Sequence, residues 1–400
     1  TNLEGTTHPE NIGRLIEQTV PDYCIDSNAY EYADPGEFLA SVERMVDART
    51  RVFEDLIRRE RPDLFVGVYV STDRVQHGFW KQAAHPWSDG ERAGWRFATA
   101  VRDCYRQLDA ALGRLVEAVD GDPTVIVMSD HGFGDLEGDL YLNSLLEEME
   151  LLTLKRGSEG VVPGFLGGLV DRVRGRDRSE DGSGGPEFGD IDWQQTRAYS
   201  RGLFGNIWLN LRGREPDGQV EPGPEAEKLL EQITERLLEL EEPGGRAPLI
   251  DAVFRGKDLY WGGCAEQAPD LVVVPHEYRW MTRSGREIAG NGQLTGAPAI
   301  RHTGNHRMNG VIVAGGPGIR VGVEPEVRRL LDLTPTSLAL LGIELPRSLD
   351  GLPMKDLLAC DVGWTDDVPD WEPLPGAPST KGEAAELADQ LRGLGYLADS

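Results

Sequence analysis

Apolar residues recur at close to 3.6-residue spacing from Glu37 to Arg59, at Phe38, Val42, Met45, Val46, Val52, Phe53, Leu56 and Ile57. That spacing predicts an amphipathic helix, with Pro62 ending it. Before it, residues 1–34 read as polar and irregular, broken at His8, Pro9, Pro21 and Pro35. After it, Leu64–Val70 (LFVGVYV) has the composition of a strand. A second helical pattern covers Gly90–Val119, through Trp95, Val101, Leu108, Leu112, Leu115 and Val116. A Gly-Asp-Pro turn then leads into Val125–Met128, which reads as a buried strand. Further on, the pattern predicts a short helix within Leu140–Leu154, a hairpin or strand pair around Ile207–Leu211, and a helix over Glu225–Leu240. It adds strands at Asp270–Pro275 and Val311–Ala314, a helix over Leu333–Leu341 begun by Thr334–Pro335, and a short helix near Ala385–Leu394. Helix, strand, helix, strand is the order of crossover units, so the expected class is α/β with a mostly parallel central sheet flanked by helices. Residues 156–190 are rich in Gly, Arg and Asp, with too little apolar content to pack. The expectation for 173–189 is a mobile loop, either a flap or a plain disordered insertion.

Chemistry gathers where the strands end. Val125–Met128 runs into Ser129, Asp130 and His131, and then Gly132 and Gly134, which allow a sharp turn and a close backbone approach. Leu64–Val70 runs into STDRVQHGFW, where Asp73 and His77 stand four apart. On a helical turn that spacing puts both side chains on one face, within reach of one metal ion. Each pair alone is equally what an ordinary capping Asp and a surface His look like. A third group, His302 and His306, lies in a Gly- and Asn-rich loop entering the strand at Val311–Ala314. If that strand is antiparallel to the others, its start lies at their carboxyl ends and His306 meets Asp73, His77, Asp130 and His131. Three imidazoles and two carboxylates suit zinc or manganese better than calcium. There is no phosphate-binding GxxxxGK loop, no GxGxxG and no GxSxG.

Composition narrows the partners. The 400 residues carry 68 acidic and 41 basic side chains, a formal net charge of −27, and 39% are hydrophobic. Such a field argues against nucleic acid and anionic membranes, and it means that an anionic substrate needs bound cations to reverse the local sign. Lysine is scarce, confined to Lys81, Lys155, Lys228, Lys257, Lys355 and Lys381. An acidic, lysine-poor balance points to a halophile's cytoplasm; a GC-rich genome is the alternative for the lysine deficit, but it does not explain the net charge. Cys24, Cys104, Cys264 and Cys360 are scattered without a CxxC, so reduced thiols are expected. No apolar run is long enough to span a membrane. The chain opens at Thr1 without a basic, apolar leader, which reads as a fragment or processed product.

These residues carry a resemblance. DxxxH at 73–77, SDHG at 129–132, GNHRMNGVIVAGGPGI at 304–319 and DLTPTSLALLGIELPRSLDG at 332–351 resemble the alkaline phosphatase superfamily. STDRVQHGFW, DHGFGDLEGDLYLN, IDWQQTRAYS, IWLNLRGREPDG and LRGLGYL are similar to its type I phosphodiesterase/nucleotide pyrophosphatase branch. The resemblance implies an alkaline-phosphatase-like core over 1–360, with 151–222 as a cap or insert and 361–400 as an acidic tail. It implies hydrolysis of a small phosphate ester or nucleotide by two divalent ions, zinc or manganese, clamping the attacking and leaving oxygens from about 4 Å apart. Asp73, His77 and His306 would hold one ion, Asp130 and His131 the other. His302 falls one turn too early for the pattern and becomes a candidate either to support a metal ligand or to contact the substrate. The same resemblance implies one further Asp and a Thr or Ser nucleophile near the amino terminus. No strand followed by such a pair precedes Glu37, and Thr1, Thr6 and Thr7 lie in a polar stretch. The expectation is therefore a chain without its nucleophile segment, a second ion short of a ligand, and feeble turnover. Alternatives within the superfamily are a sulfatase, whose CxPxR motif is not found, and a phosphoglycerate-mutase-like transferase. A further alternative is a relative that binds metal without turnover.

Overall fold

In the computed structural model, the described residues are 7–9, 11–27, 32–83, 97–155, 188–283, 292–298, 302–324 and 327–367. Their helices, in chain order, are α1 (Asn11–Thr19), α2 (Pro35–Glu60), α3 (Ser71–Ala83), α4 (Ala100–Ala118), α5 (Leu142–Glu148), α6 (Pro224–Leu238) and α7 (Leu333–Leu340), leaving aside one-turn pieces. The strands used below are β1 (Val125–Met128), β2 (Gly132–Asp135), β3 (Gly138–Leu140), β4 (Ala198–Ser200), β5 (Asn206–Leu209), β6 (Ile250–Arg255), β7 (Leu271–Pro275), β8 (Trp280–Thr282), β9 (Thr295–Gly296), β10 (Gly304–Arg307) and β11 (Ile312–Gly315). The chain is thus a mixed α/β protein. It divides into two compact units: the first runs to Phe133 and resumes at His306, and the second comprises Gly134–Asn305.

The first unit is built on α2. Its Asp34 cap accepts a hydrogen bond from the Gly36 N–H at 3.1 Å, Pro35 presets the first turn, and Arg61 closes the helix in the left-handed region. Phe38, Val42, Met45 and Val46 form one stripe, buried against Val75 and Phe79 of α3 and Ala100, Cys104 and Ala111 of α4. Burying each large side chain contributes about 1.5–3 kcal/mol. Further along, Ala48 and Val52 meet Ile16 and Val20 at the end of α1. The helix α1 corrects the irregular reading of residues 1–34: Ile12, Leu15, Ile16 and Thr19 do have helical spacing, over only nine residues.

The strand expected at Leu64–Val70 is not formed among the described residues, although its alternation is real. Phe65 and Tyr69 pack their rings edge-on against Phe53 of α2, at 5.2 and 5.5 Å, while Leu64, Val66 and Val68 are exposed. The segment has one packed face and, among the described residues, no ladder partner. β1 does form, but it is not buried as predicted: Val127 and Met128 are exposed. It pairs antiparallel with β11, Val125 opposite Gly315 and Met128 opposite Ile312. That is the orientation predicted for the strand after His306.

The second unit has its own core. A sheet in the order β4-β5-β7-β6 is antiparallel throughout. Ile207, Leu209, Leu271, Val273 and Ile250 are buried together with Ala226, Leu229, Leu230, Ile233 and Leu237 of α6. A smaller sheet pairs β3 parallel with β8 and antiparallel with β9. Where the sequence predicts a mostly parallel central sheet, the described strands therefore build small sheets whose pairs are mostly antiparallel. The helices at 225–240 and 333–341 appear as α6 and α7, though Asp332 stands at the N-cap position of α7, with Thr334 and Pro335 inside its first turn. The expected helix at 140–154 shortens to α5. Most of 173–189, the part of the 90–119 helix before Phe97, and the helix at 385–394 lie outside the described residues. The predicted 151–222 insert begins inside the second unit, after its Gly134 boundary.

Candidate metal centre

The site lies in the first unit, at the point where three segments end together. The extended stretch before Ser71 delivers α3, whose first two turns carry Asp73 and His77 on one face. β1 delivers Asp130 and His131. β10 carries His306, so this residue sits in a short strand and not in the loop predicted for it.

Two loops are held close by glycine and serine. The Ser129 N–H donates to the Val311 carbonyl at 3.0 Å, and the Val311 N–H donates to Ser129 Oγ at 2.9 Å. A methyl carbon built on Gly132 would stand 2.1 Å from the Asn309 carbonyl oxygen. Gly132 is needed for that close approach and not for a turn, since it lies inside β2.

Within this frame Asp73 Oδ1 lies 3.0 Å from His306 Nε2 and 3.4 Å from His77 Nε2, and the two imidazole nitrogens are 3.1 Å apart. His131 Nε2 stands 3.7 Å from the same carboxylate oxygen, its ring stacked on that of His306 with centroids 3.7 Å apart. Asp73, His131 and His306 each offer one atom within 4.8 Å of the others. The set with His77 in place of His131 has the shorter separations. Phe133 lines the group, its ring 4.8 Å from His77 and 5.5 Å from His306.

The donor chemistry fits a cation. Zinc bonds of about 2.0–2.1 Å in a tetrahedron separate neighbouring ligand atoms by roughly 3.3–3.4 Å, and the three separations here are 3.0, 3.1 and 3.4 Å. The His131 Nδ1 lies 3.0 Å from the Gly132 carbonyl oxygen, which can only accept. In the tautomer that donates from Nδ1 to this carbonyl, Nε2 keeps a lone pair that a cation could take. Burial pushes the Asp73 carboxyl up, but hydrogen bonds from His306 and His77 and their charges outweigh it and hold it well below the usual carboxylate range. An ionised carboxylate and converging imidazole nitrogens are what a divalent ion of the zinc or manganese kind takes.

Of the residues predicted for the site, Asp73, His77, His131 and His306 are brought together. Asp130 is adjacent but more open: its side chain is 65% exposed, with Oδ1 3.6 Å from His131 Nε2. His302 belongs to the second unit and is not in the cluster. Sequence reasoning missed Arg74, whose Nη1 donates to Asp73 Oδ2 at 3.1 Å, and Asp26, which binds Arg74. A lone Asp in a polar stretch carries no local signal for such a role. All four cysteines are free, and no helix among the described residues is long and apolar enough to cross a membrane.

No curated protein matches the chain. Residues 4–297, which include Asp73, His77, Asp130 and His131, match the family described as type I phosphodiesterase / nucleotide pyrophosphatase. With nearly three quarters of its length matched, the chain belongs to the type I phosphodiesterase/nucleotide pyrophosphatase family.

Proposed function

We propose that the first unit carries the metal site of a phosphoric ester hydrolase of the phosphodiesterase/nucleotide pyrophosphatase type. The convergence of Asp73 Oδ1, His77 Nε2 and His306 Nε2, each within 3.4 Å of the others, is the observation that carries this reading. Asp73, His77 and His306 would hold one ion, zinc or manganese, and Asp130 with His131 a second. When bound, such ions stabilise charge on phosphoryl oxygens and lower the pKa of a bound water. The residues themselves supply orientation. Asp73, kept ionised, offsets the added positive charge, and the Gly132 carbonyl fixes the His131 tautomer. Phe133 excludes water from one side of His77. A cationic centre also answers the net charge of −27, which would otherwise repel a phosphate ester.

An alkaline-phosphatase-like core belongs to the same proposal. Its support is that Leu64–Val70 and β1 both run their carboxyl ends to this cluster and are linked through α3 and α4. A small phosphate ester or nucleotide is the substrate class that follows, and the cap role of 151–222 is part of this reading. The test is binding of bis-p-nitrophenyl phosphate by calorimetry, with zinc or manganese and then with excess chelator. Binding that needs the metal and is lost in H77A supports the reading. Binding that is indifferent to metal, or absent with it, contradicts it.

A further inference from the structure

We infer that Asp26 and Arg74 form a positioning clamp that sets the rotation of the Asp73 carboxylate, an inference that rests on the metal site just proposed. Arg74 follows Asp73 directly on α3, and successive helical side chains point away from each other. Yet Arg74 Nη1 reaches Asp73 Oδ2 at 3.1 Å. Asp26 draws it there. The Arg74 Nε donates to Asp26 Oδ1 and Oδ2 at 3.1 and 3.2 Å, and Nη2 donates to Oδ2 at 2.6 Å. Both side chains are mostly buried, 14% exposed for Arg74 and 10% for Asp26. A two-point grip of this kind fixes the plane of a guanidinium.

Asp26 is itself held on both sides. The Ser27 N–H donates to its Oδ1 at 2.8 Å, and Ser27 Oγ lies 2.5 Å from Ser41 Oγ on α2. The buried Arg49 of α2 donates to the Ile25 carbonyl, to the Val68 carbonyl at 3.0 Å and to the Tyr23 hydroxyl at 3.3 Å. The same guanidinium therefore ties the Asp26 loop to the segment that leads into Asp73. With Oδ2 engaged by Arg74, Oδ1 is the oxygen turned toward His77, His131 and His306.

Charge explains why both members are present. A guanidinium beside the site would by itself repel a divalent cation and compete for Asp73. The Asp26 carboxylate offsets that charge while leaving the hydrogen bond to Oδ2 in place. Asp26→Asn keeps the size and removes the charge, and should weaken zinc binding about 10–100-fold, the range for residues that orient metal ligands. Asp26→Glu should keep most of the affinity.

Zinc affinity is read by competition with a chromophoric chelator for wild type, D26N, D26E, R74Q and the double variant D26N/R74Q, with urea midpoints measured alongside. The clamp predicts that D26N weakens binding strongly in the wild-type background and hardly at all once Arg74 is Gln. Equal effects of D26N in both backgrounds, or wild-type affinity in folded D26N, would overturn it while leaving the metal site standing. If D26N does not fold, R74Q with unchanged zinc affinity overturns it equally. Failure of the wild-type protein to bind either zinc or manganese overturns the hydrolase reading, and the clamp with it.

Discussion

Gly132→Ala tests the joint between the two loops that carry His131 and His306. The added methyl carbon would stand 2.1 Å from the Asn309 carbonyl oxygen, where ordinary contact begins at 3.4 Å, and the backbone carbonyl cannot rotate away as a side chain could. The loops must therefore part by about 1.3 Å, the difference between those distances. Forcing atoms into a packed site typically costs about 1–3 kcal/mol of stability. Metal sites tolerate ligand displacements of only about 0.2 Å, so the larger consequence falls on binding. We expect zinc affinity to fall by at least ~10-fold, the lower end of what disturbing a ligand's support costs. The assay is chelator competition on folded protein, paired with a urea titration to read stability separately. Wild-type affinity together with a wild-type urea midpoint would refute the argument, because it would mean that the loops do not approach as closely as described.

Three other outcomes follow from the same structure. Cys24, Cys264 and Cys360 are exposed and Cys104 is buried, so a thiol reagent at pH 8 should label three cysteines quickly and the fourth only on unfolding, as counted by intact mass. Burial pushes the Cys104 thiol up to about 11. A raised folded pKa means stability present below pH 9.0 and lost as pH rises through about 11. The loss should be roughly 2–3 kcal/mol, and a Cys104→Ala variant should show a flatter profile over that interval in urea melts. In the second unit, Ile233→Ala removes a fully buried side chain between α6 and its sheet. It should cost about 2–5 kcal/mol in denaturant unfolding followed on that unit, while zinc affinity at the first unit's site stays unchanged.

Much of the site was legible because its signals are local. Asp73 and His77 stand one helical turn apart directly after an apolar run, and Asp130 and His131 directly after another. His306 required a guess about strand direction, and the antiparallel pairing of β1 with β11 agrees with it. What sequence could not supply depends on distant partners. The alternation of Leu64–Val70 is genuine, yet a ladder needs a neighbouring strand, and none pairs with it among the described residues. A glycine at 132 does signal a close approach, but the group it approaches, Asn309, is far along the chain, and the expected turn is a strand. α1 gives only a weak sequence signal, because its few apolar residues are interleaved with polar ones over nine positions. Asp26 was invisible for a stronger reason. Its partner Arg74 is 48 residues away, and nothing in either neighbourhood announces the pair.

Whether Asp73, His77 and His306 together hold a divalent cation is decided by anomalous diffraction at the zinc edge from zinc-soaked crystals of the chain. A strong peak is expected about 2.0–2.2 Å from Asp73 Oδ1, His77 Nε2 and His306 Nε2. Ordered side chains at these three positions with no peak between them, and zinc only at surface carboxylates, would show that the three do not hold one.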